Sequence, residues 1–303
     1  MKLFNTKNEN LIEVSEKAFK LEKEIQSMTE KNLEKVFGYQ FVKSEYALNG
    51  FRIDSLAYDN QTNSFIIIEY KRDKNFSVID QGYAYLSLML NNKADFILEY
   101  NECMDKNLKK NDVDWSQSRV LFVAPSYTVY QRESINFKDL PIELWEIKRF
   151  DNDTVMYSQI KSSKSTESIQ TISSSDTIIQ TVTKEVKTYT ENEHLDGKPI
   201  EIIELYEALK NEILNVGDVT IKPNKQYVAF VGKRNIVDFV IQKGKIKAYI
   251  NMKYSEIDDP KKIVRDVTNL GSWGNGECEV SIGSLEEIDY FLTLVKQSYR
   301  KNG

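Results

Sequence analysis

The stretch FRIDSLAYDNQTNSFIIIEYKR, residues 51–72, decides the fold. Its two ends, Phe51 to Asp59 and Ser64 to Arg72, are rich in Ile, Leu, Phe and Tyr. The polar run Asn60 to Asn63 divides them, which is the pattern of two strands and a turn. Asp54 sits inside the first strand, where a carboxylate among apolar neighbours costs free energy unless something pairs with it. In the second strand Glu69 and Lys71 are two residues apart, so both project from one face. The short connection makes the strands hairpin neighbours and brings Asp54 beside that face, so two carboxylates and a lysine converge at the end of an apolar sheet. Such a trio suits a hard cation: Mg²⁺ takes carboxylate oxygens at about 2.0–2.1 Å and keeps positions for water and a phosphate oxygen. The backbone carbonyl of Tyr70 could be a further ligand, and Lys71 would hold an attacking water or balance charge on phosphorus. A plain cross-strand salt bridge at a sheet rim is the competing reading.

Composition narrows the chemistry. The chain has one histidine, His194, and two cysteines, Cys103 and Cys278, far apart and outside any CxxC pattern. Ser-His-Asp hydrolysis, histidine-metal nucleases, cysteine zinc sites and a disulfide framework all fall away. His194 reads as a solvated loop residue outside both candidate domains. An enzyme here must rely on carboxylates, lysine and Mg²⁺ or Mn²⁺. The net charge of -5 argues against non-specific polyanion binding by the whole molecule. Most of the excess acid is in residues 151–196, with 4 Lys+Arg against 8 Asp+Glu, compared with 21 against 23 before and 16 against 15 after. The longest apolar runs, such as Phe65 to Ile68 and Val120 to Ala124, fall far short of the roughly 20 residues that span a bilayer. The N-terminus is broken by Asn, Lys and Glu every few residues and lacks the apolar core of a secretory signal. A cytoplasmic protein without a membrane segment is the expectation.

Outward from the hairpin, apolar residues at three- and four-residue spacing predict a helix over about 8–37, broken near Ser27 to Thr29. Thr29 would cap its second part and Gly38 end it. A strand at Phe41 to Leu48 precedes the Asn49-Gly50 turn. A helix follows over about Val78 to Asn91, then strands at Asp95 to Tyr100 and Arg119 to Ala124. A helix near Val129 to Phe137 and a strand at Ile142 to Phe150 close the domain. The Ser/Thr-rich stretch from Lys161 to Glu193 shows no sustained period and reads as a flexible tether. The chain therefore divides into a domain over 1–155, a linker over 156–196 and a smaller α+β domain over 197–303.

In the second domain a helix is expected at Ile200 to Leu214, strands at Tyr227 to Gly232, Ile236 to Gln242, Lys245 to Asn251 and Glu277 to Ile282, and a closing helix from Ser284. Asp258-Asp259-Pro260 reads as the start of another short helix near Lys261 to Val267. From Lys222 to Lys253 there are eight basic residues and one acid, Asp238, with Tyr227, Phe230, Phe239, Tyr249 and Tyr254 between them. Basic and aromatic residues on a sheet suit nucleic acid, through Lys222, Lys225, Lys233, Arg234, Lys245 and Lys247. Lysines at strand ends also protect sheet edges, which leaves a docking or dimerisation domain as the alternative. Gly271 to Gly276 matches no phosphate-binding loop, and its Trp273 is either a stacking residue or a core anchor.

The order of a helical Glu, then Gly50-Phe51-Arg52-Ile53-Asp54, then Ile67-Ile68-Glu69-Tyr70-Lys71, then a helix opening with Gln81 resembles the PD-(D/E)XK nuclease superfamily. Residues 28–100 carry the likeness, which is nearest to its RecB-like and archaeal Holliday-junction resolvase branch and to the nuclease domain of NucS. The resemblance implies a restriction-endonuclease-like αβββαβ core with a mixed sheet. It implies Asp54, Glu69 and Lys71 in the named motif positions, and cleavage leaving a 5'-phosphate. It also implies that Glu30 orients or supports the metal and that Gln81 positions Lys71 or contacts the nucleic-acid backbone. Glu34, one turn later, competes with Glu30 for the helical position. Arg72 could contact a phosphate or serve only as a surface residue. Across both halves the chain also resembles a bacterial and archaeal group that pairs such a domain with a C-terminal domain of unknown function. Some of its members are labelled predicted transport proteins, a role for which the sequence offers no physical basis. The expectation is a metal-dependent nuclease acting on DNA, with RNA not excluded and a homodimer compatible. The rival is a catalytically inactive nucleic-acid-binding or protein-interaction protein on the same fold.

Overall fold

The computed structural model describes residues 2–73, 76–137, 140–161, 176–270 and 274–303. The chain forms two compact units, Met1–Thr188 and Tyr189–Gly303. The first is built on a six-stranded mixed sheet. In chain order its strands are β3 (Gln40–Leu48), β4 (Phe51–Asp59), β5 (Ser64–Tyr70), β6 (Arg119–Ala124), β7 (Ile142–Arg149) and β8 (Val155–Ile160), and they lie side by side in that order. β3, β4 and β5 form an antiparallel meander, β5, β6 and β7 run parallel, and β8 returns antiparallel. Asn49 and Gly50 have φ of 48° and 81°, the left-handed pair that a two-residue hairpin turn demands, so the β3–β4 register is locked at the turn. All of β5 is buried, as expected for a central strand covered on both faces.

Helices cover both faces. α1 (Glu22–Glu30) and α2 (Leu33–Phe37) pack on one, where Ile25 and Leu33 meet Ala57, Ile66, Ile68 and Tyr70. On the other lie α3 (Val78–Asn91), α4 (Lys93–Met104) and α5 (Val129–Ser134), where Leu86, Met89 and Phe96 meet Leu56, Phe65, Ile67 and Phe122. A sixth helix, α6 (Thr177–Glu185), buries Ile179 and Val182 in that same core, and Val186 follows them in.

The second unit opens with a short helix, α7 (Glu191–Leu195), and then α8 (Ile200–Leu214). Its strands are β9 (Thr220–Pro223), β10 (Val228–Val231), β11 (Asn235–Ile241), β12 (Ile246–Ile250), β13 (Arg265–Asp266) and β14 (Cys278–Ile282), followed by α9 (Ile288–Asn302). They form a six-stranded antiparallel sheet in the order β13-β14-β12-β11-β10-β9. α8 and α9 bury Leu205, Leu209, Phe291 and Val295 against Phe230, Phe239, Ile250 and Val280. The protein is thus an α/β domain with a mixed sheet followed by a smaller α+β domain. Among the described residues no helix is long and apolar enough to cross a membrane.

Several expectations give way. Residues 8–14 are not helical: β1 (Leu3–Lys7) and β2 (Asn10–Val14) form a hairpin around Asn8 and Glu9, both at positive φ. Thr29 does not cap α2; it is buried inside α1, and its hydroxyl donates to the carbonyl of Ile25 at 2.8 Å, although Gly38 ends α2 in the left-handed conformation as expected. Residues 95–100 lie in α4 rather than a strand. No helix follows Pro260: the Asp259 carboxylate instead accepts from the Val264 amide and the Tyr290 hydroxyl, closing a loop. The stretch 156–196 is not one tether, since β8 and α6 within it belong to the first unit; its residues 162–175 lie outside the described residues, as does Trp273. His194 is not a free loop residue. It lies in α7 within the second unit, its Nε2 2.7 Å from the carbonyl oxygen of Asn224, and burial holds its imidazole below the usual pKa.

Candidate active site

Strand parity assembles the site. Ser55 pairs with Ile68 and Leu56 with Ile67, so extending the ladder one step sets Asp54 opposite Glu69. Directly opposed residues share a face. Asp54 alternates with Leu56, and Glu69 with Ile67, so both carboxylates are on the side that α3 covers. Lys71, two residues beyond Glu69, joins them: its Nζ donates to Glu69 Oε1 at 2.6 Å. Gln81, in the first turn of α3, donates from Nε2 to the same Oε1 at 2.9 Å. Glu69 is 3% exposed, and its other oxygen, Oε2, is buried with no hydrogen-bond partner among the described residues. Asp54 Oδ2 accepts the amide of Tyr70 at 3.0 Å.

Among the described residues two carboxylates meet one ammonium in a partly dry setting, and burial first, then the Glu69 charge, push the Asp54 carboxyl up to about 6. No cluster of three His, Cys, Asp or Glu side chains able to hold a metal exists among the described residues. A hard cation here would rest on two carboxylates and draw its remaining ligands from backbone or water. That donor set fits Mg²⁺, which dehydrates reluctantly and usually keeps several waters. A buried Glu69 oxygen with no hydrogen-bond partner among the described residues is a donor that such a cation could use.

The remaining candidates divide. Gln81 holds Glu69 rather than Lys71, and it also reaches the hydroxyl of Tyr85 at 3.3 Å. Tyr85, which the sequence reading overlooked, lies one helical turn after Gln81, and its hydroxyl donates to the Arg52 carbonyl at 3.2 Å. Glu30 is not on the carboxylate face. Its Oε1 accepts from Ser55 Oγ at 2.7 Å, Ser44 Oγ at 2.8 Å and Gln26 Nε2 at 3.0 Å, and Ser55 points to the α1 side of the sheet. Glu34 is exposed on α2. Arg72 is engaged within the chain, through its amide to Glu22, its guanidinium to the Lys20 carbonyl and a salt bridge to Asp73.

In the second unit four of the five aromatics expected at the nucleic-acid surface are buried, and Tyr254 alone of the five is exposed. Phe230 and Phe239 are core residues, and Tyr227 and Tyr249 are buried, so none of the four presents a ring to a base. Lys247 is spent on Glu279, at 3.1 Å, while Lys225, Lys233 and Arg234 are exposed and Lys222 and Lys245 half-buried. Asp238 is wholly buried, accepting the Asn275 amide at 2.5 Å and Asn235 Nδ2 at 2.7 Å. It pins the loop around Asn275 onto the sheet.

Fold and site together define an α/β protein with a paired-carboxylate face on its first unit. Comparison with known proteins adds a family. A Haemophilus influenzae protein described as uncharacterized is 48% identical over 301 residues, spanning 99% of this chain and 100% of its own. The chain belongs to the same family as that protein. Residues 191–302 match the family profile described as a domain of unknown function, DUF5655. Part of the chain is also similar to solved structures. A repair endonuclease from Pyrococcus abyssi is 19% identical with a TM-score of 0.23, over 40% of this chain and 45% of that one. EndoMS in its apo form is 17% identical with a TM-score of 0.25, over 44% and 58%. This chain spans about half the length of those two structures.

Proposed function

We propose that the first unit is a metal-dependent nuclease that hydrolyses phosphodiester bonds in DNA, with Mg²⁺ or Mn²⁺ held by Asp54 and Glu69. The observation that carries the reading is the Asp54–Glu69 pair on one face, with Lys71 against the same carboxylate and a buried Glu69 oxygen that has no hydrogen-bond partner among the described residues. The bound ion would supply Lewis-acid polarisation of a phosphate oxygen and of water. Asp54 and Glu69 supply the negative charge that retains it, the backbone carbonyl of Tyr70 being a further donor near them. Gln81 fixes the Glu69 carboxylate by donating to its Oε1. Lys71, donating to Glu69 in this structure, would hold an attacking water by a hydrogen bond or balance the charge on the phosphate in the transition state. In the second unit, exposed Lys225, Lys233 and Arg234 would attract phosphate.

Calorimetric titration with Mn²⁺ tests the site directly. Wild-type protein should bind the ion, and Glu69→Ala should lose it. Paired with this, metal-dependent cleavage is measured on single-stranded, duplex, flap, mismatch and junction DNA and on one RNA. Wild-type protein that takes up no Mn²⁺ would remove the reading.

A further inference from the structure

We propose that Gln26 is a positioning residue for the Asp54–Glu69 pair, acting on the backbone of Asp54 from the opposite face of the sheet, with Glu30 as its anchor. The inference rests on the reading of that pair as the ion-binding site.

The starting point is a gap in the strand ladder. β3 pairs with β4 at Ser44–Ser55 and again at Tyr46–Ile53, but the step between them, Glu45 against Asp54, is skipped. Glu45 has φ of 54°, a left-handed conformation that takes its peptide out of the extended run. At this break the carbonyl of Asp54 receives a side chain instead: Gln26 Nε2 donates to it at 2.9 Å. The same amide nitrogen donates to Glu30 Oε1 at 3.0 Å. A backbone carbonyl and a carboxylate can only accept, so they fix which end of the Gln26 amide faces them. Its oxygen is taken by Lys23 Nζ at 3.1 Å. Gln26 is 4% exposed, and a buried amide with every group engaged has one orientation open to it.

Glu30 completes a ring around residue 54. It receives Gln26 and Ser55 Oγ; Ser55 Oγ lies 3.1 Å from the Tyr70 hydroxyl, and the Tyr70 amide returns to Asp54 Oδ2 at 3.0 Å. The main chain of Asp54 is thus held from behind and its carboxylate from the side. α1 sets the direction in which that carboxylate points without touching anything on the far face. Glu30 serves here as an acceptor of hydrogen bonds, not as a ligand.

Three full-length variants decide between roles: Gln26→Met, which keeps length and loses the donor; Glu30→Gln, which keeps an acceptor and drops the charge; and Glu30→Ala. Ile25→Val, a buried change in the same helix, is the control for general loosening. Mn²⁺ affinity is read by calorimetry, and hydrogen exchange of the Tyr70 amide is read without metal. Gln26→Met and Glu30→Ala should weaken Mn²⁺ binding by roughly 10–100-fold, the range typical of outer-shell partners, with unchanged stoichiometry. Both should speed exchange at Tyr70, while Glu30→Gln and Ile25→Val stay near wild type in both measurements. If Glu30→Gln loses the ion as fully as Glu30→Ala, the carboxylate itself serves the ion and the inference is wrong. It is equally wrong if Gln26→Met leaves affinity and Tyr70 exchange unmoved. Should wild type bind no Mn²⁺, the proposed function fails on its own account, and Tyr70 exchange alone still decides whether α1 holds Asp54 in place.

Discussion

Asp54 carries the sharpest expectations at the scale of single residues. Its carboxyl is raised to about 6 by burial and by Glu69, against an ordinary 3.8. The folded protein therefore holds a proton that the unfolded chain has already released between those two values. Raising the pH through that window costs stability, by up to about 3 kcal/mol in principle and less once solvent screening is counted. Asp54→Asn should flatten this slope and raise the melting temperature near neutrality, while abolishing Mn²⁺ uptake. Adding Mn²⁺ should raise the melting temperature of wild type more at pH 7 than at pH 5, where protons compete for the same oxygens. Thermal denaturation at the two pH values checks both. Asp54, Glu69 and Lys71 were legible in the sequence because strand parity is a rule of geometry that needs no knowledge of the rest of the fold. Gln26 and Tyr85 were not. Each sits four residues from a residue that was recognised, Glu30 and Gln81, so helical spacing could have flagged them. Their partners, a strand carbonyl in each case, are invisible without tertiary contact.

At the scale of elements, α3 must lie close to the sheet for Gln81 to reach Glu69, and the next residue, Gly82, permits it. A Cβ at Gly82 would come within 2.4 Å of Ile142 Cδ1 and 2.9 Å of its Cγ1. Gly82→Ala should cost about 1–3 kcal/mol of overpacking, offset by up to about 1 kcal/mol of helix propensity. Ile142→Val removes the closest atom, so the double variant should be more stable than the sum of the singles, which urea denaturation of the four proteins would show. A purely additive cycle would mean that α3 has room to spare. The elements most readily read were those with a clear period, such as α3, α8 and the β3–β5 meander. Residues 95–100 misled because a short apolar run, Phe96-Ile97-Leu98, suits strand and helix alike. Residues 8–14 misled because Leu11 and Val14 stand at helical spacing, whereas the left-handed Asn8 and Glu9 impose a hairpin.

At the scale of the whole molecule, the first unit extends to Thr188 because α6 closes its core. A chain ending at residue 161 should therefore be less stable than one ending at 188. Loss of buried Ile179, Val182 and Val186 removes about 1.5–3 kcal/mol for each fully buried side chain, enough to leave a small domain marginal. Denaturant midpoints of the two chains test this, and equal values would return the segment to the status of a tether. The sequence concealed α6 because its Ser- and Thr-rich surroundings resemble a linker in composition, while its apolar attachment rests on three residues, at positions 179, 182 and 186.

The locked turn at Asn49-Gly50 has one more consequence, for how this protein tolerates insertion and deletion. Adding one residue anywhere between that turn and Asp54 would shift the pleat by half its repeat. Ser55 would then turn to the α3 side and Asp54 to the α1 side, among Ile25, Ile66 and Leu33, while Glu69, on a strand held in register by β6, would stay on the α3 side and the pair would be split. Length changes in this hairpin are confined to its loops or to even numbers of residues, a stricter grammar than any single substitution obeys.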